Sequence, residues 1–147
     1  MKRSTRSFAI VLMIASVLLA ACGQQEAEAA PDTAAVAMTE IEGSELQRLT
    51  LSESAASRLG IETAAVTEDA ESGRLLIPYS ALLYDPSGAS WTYTNPEGLV
   101  FIREQVEVDL IEGDFARLTA GPDVDTMVVS VGAAELYGAE TGVGGGH

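Results

Sequence analysis

Few residues in this chain could do chemistry unaided. Cys22 is the only cysteine and His147 the only histidine among 147 residues. A lone thiol closes no intramolecular disulfide, and without a second thiol or a nearby imidazole it completes no zinc site. His147 ends the tail "TGVGGGH", where nothing holds partners in the fixed geometry that metal binding or proton transfer requires. Ser80 and Ser90 therefore have no histidine base within a folded region, which excludes a Ser-His-Asp apparatus. The glycine run lacks both the Lys-Ser/Thr of a P-loop and a following helix. "DVD" at 123–125 and the cluster Glu68, Asp69 and Glu71 offer oxygens for calcium, but the EF-hand spacing is absent and they read as solvated loop carboxylates. Paired carboxylates for glycoside cleavage need a cleft for which a small core leaves little room. The aromatic residues remain. Trp91 and Tyr93 fall on one face of a short strand, with Tyr84 and Tyr79 near them in sequence. They are either contacts for a partner or ligand, such as a sugar or peptide, or core packing. The expectation is a non-enzyme with no catalytic residue, metal or cofactor.

Cys22 is explained by what precedes it. Lys2, Arg3 and Arg6 form a basic start, and residues 8–21 are an apolar run broken by one serine. A bilayer span takes about 20 apolar residues, so this run has instead the length of a signal-peptide core. It ends in "LAAC" (19–22), which resembles the bacterial lipoprotein lipobox. The resemblance implies cleavage before Cys22, a diacylglyceryl group on its sulfur and an acylated new amino terminus, with fatty acids such as palmitate. Each buried acyl CH₂ contributes about 0.8 kcal/mol, so two or three chains form a permanent anchor in the lipid bilayer. Residues 1–21 are then the signal peptide and Cys22 the lipid attachment point. The product is an exported, membrane-anchored lipoprotein facing the periplasm or the cell exterior. Gly23 stands where an aspartate marks inner-membrane retention, so the resemblance does not choose between the two membranes.

Without residues 1–21 the chain keeps five of its eight basic side chains against 22 carboxylates, a net charge of −17. Phosphate recognition needs a basic face, so nucleic acid is excluded as a partner. Attachment to anionic lipid by charge is equally disfavoured, and membrane contact rests on the acyl chains. Residues 22–45 are rich in alanine and acidic residues without apolar periodicity, and read as a flexible tether. Residues 141–147 read as a disordered glycine tail. That leaves residues 46–140 for one small domain.

The elements of this domain are mainly short strands. "QRLTL" leads to Ser52, an N-cap for a helix "ESAASRL" that Gly60 ends. "IETAAV" and "GRLLIP" read as extended. Turn signals follow at 85–88 ("DPSG"), 95–98 ("NPEG") and 111–114 ("IEGD"), with "WTYT", "LVFIREQVEVDL" and "FARLTAG" between and after them. Val106, Val108 and Leu110 alternate with Glu107 and Asp109, the period of a half-buried strand. "TMVVSVG" reads as a buried strand with Met127 in the core, and "AAELYG" as one helical turn. Strands at this spacing predict a mainly β fold, a small barrel or sandwich with one or two short helices.

"LLIPYSALLYDPSGASWTYT" and "MVVSVGAAELYGAE" carry a resemblance. Pro78, Ser80, Ala81, Leu82, Asp85 and Gly88 are similar to the strand, Ser/Ala-Ala-Val/Leu and acidic-glycine turn of periplasmic adaptor subunits of RND-type efflux pumps, the membrane fusion proteins. Val106 to Val108, Gly113, Val128, Val129, Gly132, Ala133 and Leu136 match the family's closing strands in order. "LTLSESAASRLGIETAAV" resembles its amino-terminal segment. The resemblance covers most of residues 46–140 and implies the membrane-proximal domain, an SH3-like, circularly permuted β-barrel that docks on an inner-membrane pump. A full adaptor would insert its lipoyl-like domain, α-helical hairpin and second barrel between Val66 and Arg74, where this chain has only "TEDAESG". The expected function is a lipid-anchored accessory or truncated adaptor in a transmembrane efflux assembly, partnered by an RND pump or a full-length adaptor. A periplasmic ligand- or protein-binding lipoprotein, or a decayed adaptor without a transport role, is the alternative.

Overall fold

The computed structural model describes residues 35–142. Cys22, residues 1–21 read as a signal peptide, the first part of residues 22–45 read as a tether, and His147 with most of residues 141–147 lie outside the described residues. Strand β1 (Val36–Glu40) pairs antiparallel with β2 (Gln47–Leu51), Val36 opposite Leu51 and Glu40 opposite Gln47. Ser52 then caps α1 (Glu53–Leu59), its Oγ accepting the Ala55 N–H at 3.2 Å. Gly60 ends that helix in the left-handed conformation, φ 61°, where its N–H reaches the Ala56 and Ser57 carbonyls. Next come β3 (Glu62–Ala65), β4 (Thr67–Glu68), β5 (Leu75–Pro78), a 3-10 turn (Tyr79–Ala81) and β6 (Leu83–Tyr84). The hairpin of β7 (Ser90–Glu97) and β8 (Val100–Glu112), then β9 (Phe115–Ala120), β10 (Met127–Val131) and α2 (Ala133–Glu140) complete the order.

The described residues are mainly β with two helices, and their sheet is a nearly closed barrel. Hydrogen-bonded neighbours run β3-β10-β7-β8-β9-β5-β4, with β2 and β1 branching from β8 and β6 from β7. The path begins and ends on strands that are consecutive in the chain, separated by Val66 alone. Val66 donates to the Thr126 carbonyl at 2.8 Å and accepts from the Asp125 N–H at 2.9 Å. Fully buried, Val66 thus extends the β10–β3 pairing by one residue at the point where the chain passes from the first strand of the path to the last.

Strand β8 is the longest at 13 residues and serves two regions. Its first half pairs with β7 on one edge and with β2 on the other; from Glu107 it pairs with β9. Two register shifts, between Glu107 and Val108 and between Val108 and Leu110, bend it at that crossing. They also overturn one expectation: Leu110 does not continue the buried row of Val106 and Val108 but is 45% exposed, because the shift between Val108 and Leu110 sets it opposite the outward-facing Arg117.

Alternation along the strands builds a core on each side of the sheet. Val66, Ile77, Ala81, Leu82, Val106, Ala116, Leu118 and Val128 fill the barrel. Leu49, Leu51, Tyr93, Phe101 and Val129 form the opposite face, covered by Ala55 of α1 and by Ala133 and Leu136 of α2. Val128 and Val129, adjacent on β10, serve opposite cores. Met127 is exposed rather than core, since it lies at the strand's start, one step beyond the packed pair. The tether reading also fails for Val36–Glu40. That segment carries no apolar alternation, and only the free edge of β2 orders it as a strand.

Candidate functional site

The densest polar arrangement lies on the helix-covered face. Tyr93 of β7 and Arg103 of β8 are directly opposed, and Trp91 opposes Gln105, so these side chains share one side of the sheet. The Arg103 guanidinium lies 4.5 Å from the centroid of the Trp91 ring and 5.4 Å from that of Tyr137 on α2. Both are cation–π distances. Its Nη2 is 3.3 Å from Oε1 of Glu140, and the other carboxylate oxygen of Glu140 accepts the Tyr93 hydroxyl. The Arg103 and Glu140 side chains are only 16% and 6% exposed, so this pair sits largely out of water. The Arg103 Nε is buried without an acceptor among the described residues.

The network continues at the other end of β7. Trp91 Nε1 donates to Asp85 Oδ2 at 3.1 Å. Asp85 Oδ1 accepts the Ser87 hydroxyl at 2.6 Å and the Ser87 and Ala89 N–H groups at 2.8 and 3.0 Å, which fixes the "DPSG" turn. The Ser87 hydroxyl and the other donors, the Trp91 indole among them, hold the Asp85 carboxyl down at about 2. Tyr93 is shifted the other way. Burial, with the adjoining Glu140 carboxylate next, raises its phenol well above the ordinary tyrosine range, so it remains a proton donor. Each charge in the array has a counter-charge or a donor, and the result is a clasp fastening α2 across β7 and β8.

The structure separates the three aromatic candidates. Trp91 is half-buried beneath Arg103. Tyr93 is fully buried, a correction to its reading as a contact residue: its ring is core and its hydroxyl is taken by Glu140. Tyr84 is 51% exposed but opposes Ser90, and Leu83 opposes Trp91, so Tyr84 points away from the face that Trp91 and Tyr93 share. The three form no common platform. Arg103, Tyr137 and Glu140, which complete the clasp, carry no local signal, because the arginine and its carboxylate sit on elements brought together only by the fold.

The acidic clusters are accounted for locally. Asp69 Oδ1 accepts the Ser72 N–H and hydroxyl at 2.7 and 2.8 Å and the Glu71 N–H at 3.1 Å. The Ser72 hydrogen bonds foremost lower its carboxyl. Asp125 adopts φ 70° just before β10, where its N–H bonds Val66. A separate apolar groove of about 650 Å³ runs between β1, α1 and α2, lined by Val36, Met38, Ala55, Leu59 and Ala139 among others. Among the described residues no helix is long and apolar enough to cross a membrane. Comparison with family models, curated proteins and solved structures returns no match for this chain.

Proposed function

We propose that this protein is a lipid-anchored, non-catalytic accessory of an RND-type efflux assembly, a truncated adaptor that docks on a pump or a full-length adaptor through its small barrel. The observation that supports this most is the link after Val66. At the position where a complete adaptor would carry its inserted domains, Thr67 and Glu68 pair with Leu76 and Leu75, and Asp69 organises a tight turn to Arg74. The barrel therefore needs none of the missing parts to close. Acylation at Cys22 would hold such a module at the membrane and raise its local concentration near a membrane-embedded partner. Crosslinking in cells from exposed positions of the full chain is the test. Recovery of an RND pump or adaptor subunit is expected, and recovery of unrelated proteins alone would overturn the proposal.

The apolar groove supports a second reading, a periplasmic lipoprotein that holds an apolar ligand between β1 and the helices. In that case native mass spectrometry of protein purified from membranes shows a retained small molecule, which Leu59→Asp abolishes.

A further inference from the structure

We infer that the barrel end formed by the β8–β9 hairpin is a docking surface for a basic protein segment carrying apolar side chains. This deepens the adaptor reading by naming the face that docks, and it rests on that reading only for the source of the partner. Leu110, Ile111, Phe115 and Tyr79 are 45%, 42%, 52% and 49% exposed. Leu110 opposes Arg117 and Phe115 opposes Glu112, so Leu110 and Phe115 share one face of the hairpin, while Ile111, opposite Ala116, lies on the other face of the same end; Pro78 opposes Phe115 across the sheet, and the Tyr79 N–H bonds the Asp114 carbonyl at 2.8 Å. Four large apolar side chains gathered at one end differ from the scattered exposure normal for a protein surface.

A groove of about 250 Å³ opens beside them, lined by Asp69, Leu76, Leu110, Glu112, Phe115 and Arg117. Its charge selects the occupant. The hairpin carries Glu107, Asp109, Glu112 and Asp114, and Glu68 and Asp69 flank it. Arg117 is the one basic residue of the groove, and its charge is already met by Asp69 at 3.4 Å and Glu112 at 3.6 Å. An apolar patch with an acidic rim repels a second copy of itself and an anionic bilayer, and attracts lysine and arginine.

The test uses the purified full chain in mild detergent and two synthetic amphipathic peptides, one of leucine and lysine and one of leucine and glutamate. Fluorescence anisotropy is expected to show at least about tenfold tighter binding of the lysine peptide, weakening with salt. Phe115→Asp lowers that affinity about tenfold, whereas Val124→Asp, at an exposed valine of the loop before β10, leaves it unchanged. Glu112→Gln with Asp114→Asn keeps the apolar residues and flattens the salt dependence. Equal affinity for the two peptides, or indifference to Phe115→Asp, overturns the inference, as does a concentration-dependent dimer that Phe115→Asp abolishes. Peptide binding without recovery of a pump or adaptor in cells sinks only the efflux reading; pump recovery without peptide binding sinks only this surface.

Discussion

Glu140, in the last turn of α2, meets Arg103 of β8 with 3.3 Å between Oε1 and Nη2, while its second oxygen holds the Tyr93 hydroxyl. One carboxylate thereby fastens the final helix to two strands. The helix has a buried Leu136 to anchor its middle, and the clasp secures its end.

Removing one member of a largely buried pair costs more than the pair contributes, because the survivor is left charged and unpaired. Glu140→Leu is expected to destabilise the chain by about 3–5 kcal/mol in urea unfolding. Combining it with Arg103→Met is expected to recover most of that loss. If the double variant is as unstable as the single one, the clasp is not the origin of the effect.

Gly132 precedes α2 at φ 88°, and a Cβ built there would meet Ile61 Cδ1. Gly132→Ala is expected to cost about 1–3 kcal/mol from backbone strain and overpacking together. Adding Ile61→Val, which removes Cδ1, relieves the steric part and leaves the backbone part. Thermal unfolding of the three variants separates the two contributions.

Glu104 opposes Thr92 on the barrel side of β7 and β8. Burial first, and the nearby Asp123 charge second, raise its carboxyl above the ordinary glutamate range. A raised carboxylate pKa means that ionisation costs more in the folded chain than in the unfolded one. Stability therefore falls as pH rises from the unfolded value through the folded one. Glu104→Gln is expected to melt higher than the parent at pH 7, the gap closing below about pH 4, where the parent's carboxyl is protonated too. A constant gap across that range would remove ionisation as its cause.

Local chemistry made much of this fold legible. Ser52 and Gly60 bound α1 as their cap preferences require, and the turns ending at Gly88, Gly98 and Gly113 fall between the expected strands. Val128 and Val129 lie fully buried in the strand their β-branched run predicts. Where the reading failed, the cause was not local. Strand β1 has a single half-buried residue and exists only because β2 offers an edge. Leu110 fits a period of two, but register shifts in β8 displace it, and such shifts leave no mark on composition. The clasp was hidden for a related reason, since Arg103 and Glu140 belong to no common spacing pattern. Helix α2 runs past the single turn expected of "AAELYG", to Glu140, and only that extension brings its carboxylate over Arg103.

The whole account depends on a barrel that seals itself across seven residues, Thr67 to Gly73, and backbone hydrogen exchange reads that seal most directly. The Val66 and Asp125 amides, bonded at 2.8 and 2.9 Å where the start of β10 meets the link between β3 and β4, are expected to exchange in the slowest class together with Leu118 and Val128. Exchange of those two amides as fast as that of the exposed turn residue Glu71 would show that junction open and contradict the closed module.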